Sequence, residues 1–320
     1  MRKHYLSYLK NIIYREPSFI LKYYISRSFE KNNMVDNVFM ADGRMVHGGL
    51  FDRIKGAISI YALSKSQNKR FGIYFREPFF LEKYLEPHLY DWRVNDEDMI
   101  FSYPASRPVI AYSEYSTPKR LLRKRNGQTH YYYGDNILDF LNQTYGSKYE
   151  WGDLFNELFV PSPSLQKYIE NEKKKIGEDY IAVHLRFLNL LGDHVERMDY
   201  PELEDEGKES LMTDCIRMIN HLKSNSEEGP YKVLVCSDSM TFLDKAKKEV
   251  PDIFVVDGRA KHVDSAEEFK EDDILKLFAD IFLISGAQKV YSVVGKGMYA
   301  SAFPVYSALI GNKPFKRICL

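Results

Sequence analysis

The sequence predicts an α/β fold built from two Rossmann-like halves, and two observations lead there. From residue 180 onward, strand-length apolar runs alternate with helix-length amphipathic runs, the pattern of a parallel sheet with crossover helices. Near the middle, Pro161-Ser162-Pro163 disfavours continuous regular structure and marks a boundary. At 320 residues the chain has room for two domains, expected over 1–162 and 163–320.

The elements follow in order. Val38-Phe39-Met40-Ala41 reads as a strand, a glycine-bearing turn follows, and Leu50 to Ser66 forms a helix leading into the strand Phe71 to Arg76. Val109 to Tyr112 and Thr129 to Tyr133 are further strand-like runs. The second half predicts strand 180–187, helix 208–224, strand 231–237, helix 240–249, strand 253–257, helix 271–286, strand 289–294 and helix 298–311. Leu211, Cys215, Ile219 and Leu222 recur at helical spacing, and Ser239 stands where an N-cap precedes Met240. The long acidic connection from Leu188 to Gly207 leaves the carboxyl end of a strand, where functional loops gather.

Composition excludes several classes. Lys plus Arg and Asp plus Glu both number 45, so no global field points toward nucleic acid and any anion site must be local. Cys215, Cys236 and Cys319 form neither a disulfide framework nor a metal-ligand spacing, and a reducing cytoplasm is the expected setting. No apolar run approaches the roughly 20 residues that cross a bilayer. Met1 to Arg27 mixes basic residues with aromatic and aliphatic ones, a composition that serves packing against the body or a peripheral contact with the inner face of the cytoplasmic membrane. Packing is the favoured reading of the two.

The candidate chemistry lies at the carboxyl ends of the predicted strands, where open α/β sheets bind ligands. The first strand delivers His184 and Arg186, the second Ser237-Asp238-Ser239, the third Asp257-Gly258-Arg259, and the fourth the turn Gly295-Lys296-Gly297. Glycines let backbone N–H groups approach phosphate oxygens, and Arg186 with Lys296 can neutralise them, so a nucleoside diphosphate is the economical ligand. Each residue also has a plainer reading. Arg186 can pair with a carboxylate, Asp238 and Ser239 can cap a helix, the glycines can simply turn the chain, and Asp280 can sit on a solvated helix face. In the first half, Gly48-Gly49-Leu50-Phe51-Asp52-Arg53 opens a helix, either as a close-approach turn with Arg53 facing a ligand or as a turn beside an Asp–Arg surface pair. Walker A and dinucleotide fingerprints are absent. Asp96-Glu97-Asp98 and Glu271-Asp272-Asp273 read as charged faces or helix N-terminal acids, and no metal site is expected.

Val183-His184-Leu185-Arg186, followed by Asp280-Ile281-Phe282-Leu283-Ile284-Ser285 and the glycine-bearing turn, resembles the fucosyltransferase superfamily of α1,2-, α1,6- and protein O-fucosyltransferases. Gly48 to Arg53 resembles that group's first-lobe glycine motif, and the similarity covers about 180–312 and 44–77. The resemblance implies a GT-B fold, two Rossmann-like lobes with the active site in the cleft between them. The lobe 1–162 would face the acceptor and the lobe 163–320 the nucleotide sugar. It further implies inverting, metal-independent transfer from a GDP-sugar, typically GDP-fucose, with no cofactor because the GDP-sugar is a substrate. By position, Arg186 would bind the β-phosphate, His184 the nucleotide, Asp280 the guanine, and the Gly295 to Ser301 turn the phosphates. Two positions depart from the pattern: relatives often carry Ser or Thr where this chain has Gly295-Lys296-Gly297, and Asn or Gln where it has Asp52.

In such a transfer Arg186 would stabilise the leaving diphosphate, and Asp193 or Glu196, in the loop beyond it, would accept the proton of the attacking hydroxyl. The plain alternative for both acids is a solvated loop. The expected function is sugar transfer to a hydroxyl of a surface polysaccharide or lipid-linked glycan. The alternatives are the same fold with another nucleotide sugar, or a nucleotide- or glycan-binding protein without turnover.

Overall fold

The computed structural model describes residues 10–25, 35–111, 119–193, 201–224, 231–259 and 270–320. Contacts divide the chain into two compact units, Met1–Val160 and Pro161–Leu320.

The first unit opens with a π-helical turn, Asn11–Arg15, running into α1, Glu16–Tyr23. Pro17 occupies the first turn of α1, directly after the π-helical turn, so the helical run continues through the proline. A parallel four-stranded sheet follows in the order β2-β1-β5-β4, from β1 (Asn37–Ala41), β2 (Phe71–Phe75), β4 (Ser106–Ile110) and β5 (Gln128–Tyr132). A short strand β3 (Leu85–Pro87) pairs separately with β6 (Phe159–Pro161). Every residue of β1 is buried, as a strand covered on both faces requires. Helix α2, Leu50–Ser66, has the expected range and packs against β1 and β2. Gly56 permits this approach, because a Cβ there would lie 2.1 Å from the Tyr133 carbonyl oxygen. Phe19 and Tyr24 are buried with Val38, Met40, Ile110 and Tyr132, so within the described residues of the N-terminal segment α1 packs on the body. Helices α3 (Leu138–Tyr145) and α4 (Trp151–Leu158) were not expected from the sequence.

The second unit begins with α5, Pro163–Ile176, which starts where the sequence suggested only a break. The Ser162 hydroxyl accepts the Leu165 N–H at 3.5 Å, and Pro163 takes the helix's first turn, so the proline pair flanks an N-cap. Five parallel strands then form a sheet in the order β11-β10-β7-β8-β9. They are β7 (Tyr180–Leu185), β8 (Lys232–Ser237), β9 (Ile253–Phe254), β10 (Val290–Val294) and β11 (Phe315–Cys319). On one face, Val183, Leu185, Val233, Val235 and Val293 pack with Leu211, Cys215 and Ile219 of α6 (Asp205–Ser224) and with Phe242, Leu243 and Ala246 of α7 (Met240–Glu249). Strand alternation turns Ala182, His184, Leu234 and Cys236 to the other face. There α8 (Glu271–Gly286) packs against α5 and against α9 (Phe303–Ile310), and the Tyr180 hydroxyl donates to the Leu283 carbonyl at 2.6 Å.

Several boundaries differ from the reading of the sequence; the strand expected at 109–112 is Ser106–Ile110, and the strand expected at 180–187 ends at Leu185. The third strand is limited to Ile253–Phe254, and α6 starts at Asp205. Helix α9 starts at Phe303 instead of 298, because Pro304 lacks an N–H and is tolerated only in a first turn. Edge strand β11, with Lys316 and Arg317 exposed inside it, lacked the apolar pattern that announces a strand. Among the described residues, no helix is long and apolar enough to cross a membrane.

Candidate functional site

The end of β7 is held from two sides. Asp238, just past β8, accepts the N–H groups of Phe187 and Leu188, both at 2.8 Å, and its Oδ2 lies 3.5 Å from Arg186 Nε. Leu188 adopts a left-handed backbone (φ +55°), so the chain turns sharply around this carboxylate. From the other side, Tyr299 N–H donates to the Arg186 carbonyl at 3.2 Å. Asp238 was expected to touch a ligand or cap a helix. The structure instead makes it the clamp of the loop that presents Arg186, and a carboxylate so placed would repel a phosphate approaching it directly.

His184 points to the α8–α9 face of the sheet. Its ring stacks on Phe303 with centroids 5.3 Å apart, and its Nδ1 is buried with no hydrogen-bond partner among the described residues. Burial, reinforced by the Arg186 charge, lowers its pKa to about 3, so the imidazole is neutral near pH 7. In the parallel register Ser292, His184 and Cys236 form one row across β10, β7 and β8.

Asp280 does not lie on a solvated helix face. It is buried on α8, close enough to Cys236 that its charge, after burial itself, pushes the thiol well above its ordinary range. Asp280 Oδ2 takes the Lys276 ammonium at 3.0 Å, while Oδ1 is buried without a hydrogen-bond partner among the described residues. Burial raises the Asp280 pKa and Lys276 opposes that rise. Lys276, with a side chain only 1% exposed, was missed in the sequence; the available signal was the i,i+4 Lys–Asp pair inside an apolar helix.

The glycine turn after β10 is partly structural. Gly295 packs so closely that a Cβ would come within 2.6 Å of Leu211 Cδ1, whereas Lys296 and Gly297 are exposed and Gly297 takes φ +81°. The Ser301 hydroxyl accepts the Phe303 N–H at 3.1 Å, a local turn bond just before α9, whose N-cap is Ala302. Ser237 is likewise engaged locally, accepting the Ser239 N–H at 3.2 Å. Ser239 is the expected N-cap of α7, accepting the Phe242 N–H at 3.0 Å.

Several expected site residues have other placements. Asp193 accepts the Ser239 hydroxyl at 2.5 Å, and the Thr241 N–H and hydroxyl at 3.0 and 2.8 Å. Both its oxygens therefore cap the start of α7, and a carboxylate so engaged is a poor general base. Glu196 lies outside the described residues. Asp257 is exposed and tied to α5, pairing with Lys175 at 2.9 Å while its carbonyl accepts the Tyr168 hydroxyl at 2.9 Å. The Lys175 ammonium holds the Asp257 carboxyl below its ordinary pKa.

In the first unit, Gly48 takes φ +69° and Gly49 is the N-cap position of α2. Arg53 turns inward: its Nε donates to the Gly48 carbonyl at 2.9 Å and its NH1 to the Glu77 carbonyl. It thereby fastens the glycine turn to the exit of β2. Asp52 pairs with Lys55 at 2.8 Å, so the expected Asp52–Arg53 surface pair is replaced by an i,i+3 pair.

No protein-family model and no curated protein matches the sequence. Solved structures do. The chain is similar to NodZ, an alpha-1,6-fucosyltransferase from Bradyrhizobium soaked with GDP-fucose, at 17% identity and a TM-score of 0.55, covering 86% of this chain and 92% of that one. It is also similar to a variant of Arabidopsis thaliana FUT1 in complex with GDP, at 11% identity and a TM-score of 0.57, covering 99% of this chain and 74% of that one. At such identities the likeness shows the fold. The parallel α/β architecture is therefore fucosyltransferase-like, a fold of the GT-B type, as the motifs around His184, Arg186 and Asp280 led us to expect.

Proposed function

We propose that the protein is an inverting glycosyltransferase that takes L-fucose from GDP-fucose and transfers it to a hydroxyl of a surface polysaccharide or lipid-linked glycan, in the cytoplasm at the inner face of the membrane. The observation that carries this reading is the pair of buried polar atoms His184 Nδ1 and Asp280 Oδ1, neither with a hydrogen-bond partner among the described residues, on the sheet face behind Arg186. Buried orphans are costly, and a bound base whose ring N–H groups face Asp280 would satisfy the carboxylate. The fucosyltransferase-like fold supports the choice of donor.

In this mechanism the acceptor oxygen attacks the anomeric carbon, the bond to the diphosphate oxygen breaks, and GDP leaves with that electron pair. Arg186, oriented by Asp238, meets the charge growing on the diphosphate, the part a divalent ion plays in other transferases. The exposed Lys296-Gly297 turn offers a cation and backbone N–H groups to the same phosphates. The proton of the acceptor passes to a carboxylate, and Glu196 is the candidate remaining once Asp193 is engaged as a cap.

A nucleotide-sugar panel read by thermal shift, paired with GDP release, tests this. GDP-fucose and GDP should stabilise the protein, and Arg186→Ala should abolish release while the fold persists. Stabilisation by UDP- or ADP-sugars alone would sink the donor assignment. Activity should survive a chelator, and strict dependence on added Mg²⁺ or Mn²⁺ would remove Arg186 from the role given to it. The engagement of Asp193 favours one second reading, a nucleotide-binding protein without turnover, and stabilisation by GDP with neither release nor transfer would establish it.

A further inference from the structure

The first helix carries a surface that sugar transfer does not use. Between Lys10 and Ile25, one side of the segment faces the core: Phe19 and Tyr24 are buried, and the Glu16 carboxylate pairs with Arg120 at 2.5 Å and accepts the Ile110 N–H at 2.8 Å. The other side leaves large apolar groups in water. Ile13, Tyr14, Leu21 and Ile25 are 71%, 67%, 73% and 69% exposed. Tyr14, the exposed Pro17 and Leu21 recur at steps of three and four residues along the helical run, and Ile25 follows just beyond its end.

The row is anchored at its far end. Ile25 forms an isolated antiparallel bridge with Ser102, and Tyr103 N–H donates to the Tyr24 carbonyl at 3.1 Å, which brings the half-exposed Tyr103 ring beside it. Single exposed hydrophobics need no explanation, but a continuous row on a helix that already buries its other side does. Among the described residues of the segment, the exposed charges have one sign. Glu16 is the segment's acid and is turned inward, whereas Lys10 and Lys22 are exposed, and the Arg107 guanidinium stands 5.5 Å over the Tyr103 ring. A row roughly 20 Å long and one side chain wide is smaller than the ~800 Å² per partner of a stable protein interface. Apolar side chains bordered by lysines match the boundary between headgroups and acyl chains of an anionic bilayer.

We propose that this face, formed by Ile13, Tyr14, Leu21, Ile25 and Tyr103 with Lys10 and Lys22, seats the protein on an anionic membrane surface. The inference gives the membrane contact of the proposed function a definite place, yet it stands on residues to which the proposed transfer assigns no role. The two can therefore fail separately.

The test is sedimentation of the full-length chain, without nucleotide, with phosphatidylcholine vesicles and with vesicles containing equal phosphatidylcholine and phosphatidylglycerol. The protein should sediment with the anionic vesicles, weakly with the neutral ones, and less as salt is raised. Lys22→Gln should weaken binding about fivefold. The double variant Leu21→Glu/Ile25→Glu should abolish it with an unchanged circular dichroism spectrum, and Leu21→Ser/Ile25→Ser serves if the glutamates disturb the fold. Absence of binding to anionic vesicles, or undiminished binding by the folded double variants, overturns the proposal. So does a dimer in light scattering that the same substitutions dissolve without any vesicle binding, which would assign the row to a second copy of the chain.

Discussion

Asp238 holds Arg186 through the backbone as well as through charge: Oδ2 sits 3.5 Å from Arg186 Nε while the carboxylate accepts both Phe187 and Leu188 N–H groups. Two β-strand ends are thereby locked into one unit. Asp238→Ala would leave two buried N–H groups and the guanidinium without this partner, a loss of about 2–4 kcal/mol of stability. Urea unfolding at pH 7 measures it, and a change below about 0.5 kcal/mol would show that the clamp is incidental. In the sugar-transfer reading, Asp238→Ala should also weaken GDP binding.

The two loop acids should separate cleanly. Asp193 caps α7, so Asp193→Ala should cost about 0.5–2 kcal/mol of stability with little effect on turnover. If Glu196 is the base, Glu196→Gln should leave stability unchanged and lower kcat about 10²–10⁴-fold. Steady-state GDP release and urea unfolding on both variants check this pair. The reverse pattern would return Asp193 to the chemistry.

Much of this was legible in the sequence, for physical reasons that differ by element. Helix α2 and helix α8 have the expected ranges because long apolar-periodic runs bounded by Gly49 and by Glu271 leave little freedom. Helix α5 was hidden because Pro161 and Pro163 read as a break, although Ser162 between them is an N-cap. At the site, the identities of His184, Arg186 and Asp280 were visible, but their partners were not. That Asp238 clamps Arg186, that Arg53 turns inward to Gly48 and Glu77, and that Lys276 lies buried beside Asp280 are consequences of tertiary placement. A sequence pattern records which polar groups exist and not which of them consume one another.

Gly56 and Gly295 should respond differently to a methyl group. A Cβ on Gly56 would meet the Tyr133 carbonyl at 2.1 Å, a rigid backbone atom, whereas one on Gly295 would meet the end of the Leu211 side chain at 2.6 Å. Alanine would otherwise stabilise a helix interior by about 1 kcal/mol, so any net loss at Gly56 reflects the clash. Gly56→Ala should destabilise by about 1–3 kcal/mol, and Gly295→Ala by less, because a leucine terminus can shift. Equal effects in urea unfolding would contradict the close approach of α2 to the chain after β5.

Acid stability is the last consequence of burial. His47, His130 and His184 each have their pKa lowered to about 3, in each case first by burial and then by a neighbouring arginine: Arg53, Arg44 and Arg186. The unfolded chain protonates these rings near pH 6.5 while the native state does not, so the unfolded state binds more protons as pH falls. Stability is therefore full above pH 6.5 and declines toward pH 3. Between pH 6.5 and 5, above the range where ordinary carboxylates titrate, each ring should cost about 2 kcal/mol. His184→Leu isolates one ring, because Nδ1 gives up no hydrogen bond to a described residue and the stack on Phe303 is replaced by an apolar contact. Urea unfolding of this variant at pH 7 and pH 5 should show a loss about 2 kcal/mol smaller than in the parent, together with weaker stabilisation by GDP. An unchanged pH slope would mean that the native His184 ring takes up a proton in that range and is not held neutral by its burial.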